Sequence, residues 1–383
     1  MKEEWYSDSI LSPDFQLENK TCRNILLTGG TGFVGTHILH ELLEQTEDNL
    51  FVLVRGNSEE GCFERLKQKL EDVQLWNDQY ASRINVLKGN MESDCLGLSR
   101  IEWKLLSASI DIIIHDGAYV NLMGTYKKHY VPNVKSALEL LNLAACGKKK
   151  KFVYVSTSGI FGGLYKPTEF EEGFTIKEDA DITVVRSIFS YVKTKWVADR
   201  LVQQAARRGM DTSIFRLPHV GCDTLTGYFN KGDIFWSRLK AFSKIGQAPV
   251  LNHLFYIAPV DYVAKTLVYI SRKDFTGLNF YTTVSSDKVT WMSIAQALNN
   301  CGHKIEIVDS DVWYKNVSQY IEETNDIDVR LMFAYADNNF SSFRCPYMAN
   351  DNFMAALPEE MKKCQDINKI VAAYFRYGNA HNL

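Results

Sequence analysis

No apolar run in this 383-residue chain approaches the ~18 residues a membrane-spanning helix requires. The sequence therefore offers nothing to cross a bilayer. A basic excess is missing too. Against 43 Lys and Arg stand 46 Asp and Glu, a net charge of −3, which removes the electrostatic footprint expected of a nucleic-acid binder. The opening MKEEWYSDS is acidic and polar, without the apolar stretch of a secretory signal. Cys-x-x-Cys is absent although there are eight cysteines, scattered as Cys22, Cys62, Cys95, Cys146, Cys222, Cys301, Cys345 and Cys364. That placement suits free thiols in a reducing cytoplasm, and no metal site is expected from the ligand spacing. Internal repeats and low-complexity tracts are also lacking.

What the chain does have is a succession of short apolar runs rich in Ile and Val: 24–28, 50–54, 84–89, 111–115, 151–156 and 212–217. Runs of this length suit strands buried on both faces of a parallel sheet. Between them, segments such as THILHELLEQ and VKSALELLNLAA carry helical periodicity. The alternation predicts an α/β fold, a doubly wound parallel-sheet Rossmann domain. Past residue 220 the rhythm weakens, which predicts a smaller C-terminal substrate-binding subdomain. The expected division is a linker at 1–22 and the nucleotide-binding domain at 23–220, with 250–285 returning to it. The subdomain then comprises 221–249 and 286–383. The basic run KKKK at 148–151 precedes a strand and so falls at the edge opposite the ligand crevice. It reads as a solvated surface.

The segment LLTGGTGFVGTHIL begins on a strand and opens a helix. Gly29, Gly32 and Gly35 keep a G-x-x-G-x-x-G spacing, which lets the backbone approach a pyrophosphate at a helix N-terminus. Thr28, Gly29, Thr31, Gly32, Phe33, Val34 and Gly35 are thus expected at the dinucleotide. About twenty residues past such a loop, an acidic residue would favour the free ribose of NAD. Here Arg55 stands there, a guanidinium suited to a 2′-phosphate, and Arg65 is placed to close over the same group. NADPH is therefore the expected cofactor. Asn90 and Met91 after the third strand are assigned to the adenine side. HDGAYVN (115–121) after the fourth, with Ala118 and Asn121, is assigned to the nicotinamide side.

VYVSTSG brings Ser156, Thr157 and Ser158 to the end of the fifth strand. Tyr191 and Lys195 follow in FSYVKTKW; four residues apart on a helix, they share a face. Lys195 would lower the phenol pKa and hold the nicotinamide ribose, while Thr157 would donate to a carbonyl oxygen that gains negative charge. Tyr269 and Lys273 repeat the spacing, but outside this context, and read as a helix end.

With these residues in place the chain resembles an extended short-chain dehydrogenase/reductase. More narrowly it is similar to the thioester reductase domains that terminate nonribosomal peptide synthetases and carboxylic acid reductases. The narrower resemblance is carried by SDSILSPDF (7–15), TGGTGFVG, LVR and FERL. It extends through FRLPHVGCDTLTGYFNKGD (215–233), APVDYVAK (258–265), TWMSIAQALNNCGHKIEIV (290–308) and Trp313, so it covers nearly the whole chain. The resemblance implies NADPH-dependent reductive release of an acyl or peptidyl thioester from the phosphopantetheine arm of an upstream carrier domain, giving an aldehyde or, after a second hydride, an alcohol. It also implies Pro218 and Val220 beside the cofactor, and Ser156, Ser158, Gly221, Asp223 and Gly227 toward the substrate. The expected state is a cytoplasmic monomeric domain. Two departures stand out: Asn90 where such domains commonly have aspartate, and Asp116–Gly117 where they often have another small residue or asparagine. A free-standing acyl-CoA, sugar or sterol reductase and a non-catalytic NADP sensor are the alternative classes. The intact Thr157, Tyr191 and Lys195 disfavour the sensor. The long segment 164–187 reads either as a surface excursion or as a lid.

Overall fold

The computed structural model describes residues 22–161, 175–185, 187, 189–230, 232–250, 254–285, 289–327, 329–330, 333 and 347–383. The linker at 7–15, Cys345 and most of the segment read as a lid lie outside the described residues.

Seven parallel strands form the central sheet: β1 (Asn24–Thr28), β2 (Asn49–Val54), β3 (Ile84–Lys88), β4 (Ile112–His115), β5 (Lys151–Thr157), β6 (Asp211–Leu217) and β7 (Leu278–Thr282). Their spatial order is 7-6-5-4-1-2-3, and every adjacent pair is parallel. The strand residues show why both faces are covered. On β1, Ile25 and Leu27 enter one core and Leu26 the opposite one. On β4, Ile112 and Ile114 go one way and Ile113 the other. Side-chain alternation along a strand makes this unavoidable when every residue is apolar.

The first face is covered by α1 (Phe33–Gln45), α2 (Glu59–Asp72) and α7 (Val260–Ser271), through Ile38, Leu42, Leu66, Leu70, Val263 and Leu267. The second is covered by α3 (Arg100–Ser109), α4 (Ser136–Ala145) and α5 (Ser190–Arg207), through Leu106, Leu140, Ala198 and Val202. A third core, rich in aromatics, joins α6 (Ile234–Ile245), α8 (Trp291–Asn300), α9 (Ser310–Thr324) and α10 (Ile367–Ala380). At its centre Trp313 is fully buried, with its indole N–H donating to the Gln247 carbonyl at 3.3 Å.

Three features differ from the sequence reading. The strand β7 is not among the apolar runs, because as an edge strand its Leu278, Asn279 and Phe280 are only half-buried. The short helix Asp351–Ala356 lies in the range assigned to the subdomain, yet Phe353 and Leu357 extend the first core. Glu178 ties it there, accepting from the amides of Thr282 (2.7 Å), Asn352 (2.6 Å) and Phe353 (3.3 Å). Finally, the KKKK run is not wholly solvated. Lys148 and Lys149 pair with Asp111 and Asp211. Lys150, by contrast, is 2% exposed and donates to the carbonyls of Ser107 (2.6 Å), Cys146 (2.6 Å) and Lys148 (2.9 Å). It stitches the α3 and α4 C-terminal ends together, three carbonyls taking the three ammonium hydrogens.

Candidate active site

A cleft of about 550 Å³ crosses the carboxyl ends of β1 to β6. Its middle lies between β1 and β4, where strand order reverses and the following loops part to opposite sides. Gly29, Thr31, Gly32, Phe33 and Val34 line one wall. Gly29 has φ +86°, and a Cβ there would stand 2.6 Å from the Gly117 nitrogen. At Gly35 a Cβ would stand 2.1 Å from the Gly29 carbonyl oxygen, so this glycine closes the loop onto α1 from behind rather than lining the cleft. The N-cap residue of α1 is Gly32, which has no side chain to cap the first amides, so the helix start is suited to an anion from the cleft. Thr28 also sits behind the wall. Its Oγ1 is 2.8 Å from His115 Nδ1 and accepts from the Gly117 amide at 3.3 Å, joining the ends of β1 and β4.

At the far end Arg55, Arg65, Asn90 and Met91 all line the cleft. Arg65 Nη1 donates to the Arg55 carbonyl at 2.7 Å, which places both guanidinium-bearing residues on one rim. Arg55 stands 67% exposed, with Glu92 Oε1 3.9 Å from its Nη1. Asn90 turns its side-chain oxygen to the Glu92 amide at 3.0 Å. In the middle, Ala118 lines the cleft together with Asp116, Gly117 and Tyr119. Asn121 does not; its side chain donates to the Tyr119 hydroxyl at 3.0 Å and caps the Met123 amide at 2.9 Å.

Thr157, Tyr191 and Lys195 line the same cleft beyond the ends of β5 and β6, as do Pro218 and Val220. Thr157 Oγ1 accepts from the Gly159 amide at 3.1 Å, so its hydroxyl hydrogen is free to be donated elsewhere. Lys195 is 2% exposed, its Nζ donating to the Val155 carbonyl at 2.5 Å and lying 4.2 Å from the Tyr154 ring centroid. Burial pushes its pKa down to about 8, against the opposing pull of Asp116 and Asp199. The expected lowering of the Tyr191 pKa is not found in this state. Burial first, and the Asp116 charge second, push that phenol above its ordinary value, while the ammonium is spent on a backbone carbonyl.

Behind the lysine lies a fully buried ion pair. Arg216 of β6 donates from Nε and Nη2 to the two Asp199 oxygens, both at 3.1 Å, with the side chains 0% and 1% exposed. Ser156 Oγ donates to Asp199 at 2.9 Å, and Gln203 Nε2 donates to the same carboxylate at 2.7 Å. The Ser156 hydroxyl, expected toward the substrate, is thereby turned toward α5 instead. Ser158 is buried and does not line the cleft. Nor do Gly221, Asp223 and Gly227. Asp223 caps the amides of Leu225 (2.7 Å) and Thr226 (2.9 Å) and meets His37 Nε2 at 3.1 Å. Gly227, at φ +79°, leaves room for the Ala373 carbonyl, 2.8 Å from where a Cβ would be. These three hold the chain turn that leads from β6 into the third core. As for the repeated spacing, Lys273 lies past the end of α7, its Nζ 4.8 Å from the Tyr269 ring centroid and donating to the Ala356 carbonyl, a structural arrangement.

Leu53, Glu92 and Pro132 line the cleft without any signal in the sequence. Asp116 and Tyr119 lie in HDGAYVN, the segment expected on the nicotinamide side, and Asn230 in the segment 215–233 that resembles substrate-side elements. His129 also comes close, fully buried with its Nδ1 at 2.8 Å from the Thr125 carbonyl and its ring centroid 6.4 Å from that of Tyr191.

Residues 27–267 match the NAD-binding family described as Male sterility protein. The chain is similar to a linear gramicidin synthase of Brevibacillus parabrevis, 32% identical over 77% of the chain and 6% of that protein. It is similar to L-2-aminoadipate reductase of Saccharomyces cerevisiae, 28% identical over 90% of the chain and 26% of that protein. The chain thus spans only a small part of the length of these relatives. Among solved structures it superposes on the terminal R domain from the myxalamid PKS-NRPS biosynthetic pathway with TM-score 0.83 and 27% identity, covering 99% of this chain and 97% of that one.

Proposed function

The chain belongs to the NAD-binding family described as Male sterility protein, as a reductase domain of the nonribosomal peptide synthetase kind, and from that premise we propose that it reductively releases a carrier-bound acyl or peptidyl thioester as an aldehyde, using NADPH. The observation that carries the reading is the convergence of Thr157, Tyr191 and Lys195 on a cleft whose wall is the glycine loop. The cofactor fits the residues present: glycines where a Cβ would clash, open α1 amides for a pyrophosphate, and paired arginines for a 2′-phosphate.

A bound NADPH supplies the hydride to the thioester carbonyl. As that carbon becomes tetrahedral, negative charge grows on its oxygen. Thr157, whose hydroxyl hydrogen is uncommitted, donates to it. Tyr191 donates its proton to the same oxygen, and the elevated phenol pKa keeps it in the protonated, donor form until then. Lys195 is positioned one helical turn on; released from the Val155 carbonyl, its ammonium favours the resulting phenolate. The hemithioacetal then collapses to an aldehyde and the free carrier thiol. Among the described residues no cysteine lines the cleft, and the proposed direct hydride transfer needs no acyl-enzyme intermediate.

The test is Tyr191→Phe. It is expected to bind NADPH with unchanged affinity, read by nucleotide fluorescence, and to lose roughly 10²-fold or more in turnover of an acyl-pantetheine thioester. Wild-type turnover in that variant would remove Tyr191 from the chemistry.

A further inference from the structure

Asp116 follows β4 directly and lines the cleft between the glycine loop and the catalytic helix. A Cβ on Gly35, at the start of α1, would stand 2.9 Å from its Oδ2, and the Gly35 backbone amide favours its charged form. The glycine loop presses it into place: a Cβ on Gly29 would stand 3.0 Å from the Asp116 carbonyl carbon. From α5, Tyr191 and Lys195 both feel its charge. The other neighbours offer no compensation. His115 on β4 is held neutral, burial pushing it down to about 3. Thr28 on β1 bridges His115 and Gly117. Tyr154 on β5 is a buried, protonated phenol, and Asp199 on α5 is committed to Arg216. Lys195 donates to the Val155 carbonyl instead of to Asp116. Among the described residues Asp116 has no salt-bridge partner, and burial pushes its pKa up to about 7.

The α1 N-terminus that Asp116 faces is also where a dinucleotide's pyrophosphate belongs. Two anions on one helix end, inside a cleft from which the ligand expels water, cannot both stay charged cheaply. We propose that Asp116 makes dinucleotide binding proton-linked: its carboxylate takes up one proton from solvent as the anionic cofactor enters and returns it on release. The proposal rests on the cofactor reading above. No electrons move; one O–H bond forms on binding and breaks on release.

The direction follows from linkage. Below about pH 7 the free protein already carries the neutral acid, and binding takes up nothing at this site. Above it, each pH unit weakens binding by up to about tenfold until the higher pKa of the complex is reached. Lys195, at about 8, loses its charge in the same range and weakens binding in the same direction. The 2′-phosphate titrates near pH 6 in any variant. The Asp116 part is therefore the difference between wild type and Asp116→Asn, which keeps the shape and removes the ionisation.

Calorimetric titration of NADPH at pH 6.5, 7.5 and 8.0, in two buffers of different ionisation enthalpy, reads affinity and proton uptake together. The expected result is an uptake at pH 7.5–8.0 that is larger in wild type than in Asp116→Asn, with the variant binding several-fold tighter at pH 8.0. Equal uptake and parallel affinities in the two proteins overturn the Asp116 proposal and leave the cofactor reading standing. No NADPH binding by either protein at any pH overturns both. Should the variant not fold, zero uptake by wild type at pH 7.5 overturns the proposal unaided.

Discussion

Under the proposed function Arg55 carries the cofactor preference. It is reached at the end of β2, stands 67% exposed, and shares its rim with Arg65 through a 2.7 Å bond to its own carbonyl. A charge-assisted hydrogen bond is worth about 1.5–3 kcal/mol. Arg55→Ala is thus expected to weaken NADPH about ten- to a hundredfold while leaving NADH nearly unchanged, which parallel binding titrations of the two nucleotides check. An equal loss for both would place the arginine away from the 2′-phosphate. The same scale shows where residue type misleads. Asp223 and Gly227 sit in a segment that resembles substrate-side elements, yet an Asx cap on Leu225 and Thr226 and a close backbone approach account for them. A residue type that suits a site also suits a turn, and only the fold separates the two uses.

At the scale of elements, α5 decides the site. Tyr191 and Lys195 face the cleft because Asp199, one turn beyond Lys195, is clamped by Arg216 from β6 and by Ser156 from β5. Breaking a buried pair strands a charge, so Arg216→Met is expected to cost about 3–5 kcal/mol in a denaturant titration. Replacing both partners by apolar residues should return most of that. A loss under 1 kcal/mol in the single variant would mean α5 is anchored by its apolar face alone. This clamp was invisible in the sequence, because Asp199 and Arg216 lie on separate elements and neither belongs to a local pattern. The six apolar runs were legible as strands from their Ile, Leu and Val content, even at the edge strand β3, where Asn85 and Lys88 are exposed, and the glycine loop and the Tyr191–Lys195 couple were legible from their place after strands. The edge strand β7 was not, because its half-buried LNFYT carries no such run. What spacing could not reveal is direction. Lys195 points to a carbonyl, Asn121 to a tyrosine hydroxyl and Lys150 to three carbonyls, each decided by the nearest unsatisfied backbone or side-chain group.

For the whole molecule, the cofactor cleft belongs to the parallel sheet, whereas the aromatic third core is built almost entirely from residues after 220. Pro218, Val220 and Asn230 lie on the stretch that leads from one to the other and line the cleft, so a substrate meeting Tyr191 also meets this passage. Under the proposed function such a substrate arrives as a thioester on a carrier arm and leaves as an aldehyde. The most direct measurement is a product balance under NADPH with an acyl thioester on a phosphopantetheine carrier, following NADPH absorbance, free thiol and trapped aldehyde together. The expected balance is one NADPH oxidised and one thiol freed for each aldehyde trapped, all abolished in Tyr191→Phe. Thiol release accompanied by free carboxylic acid, without NADPH oxidation, would contradict it.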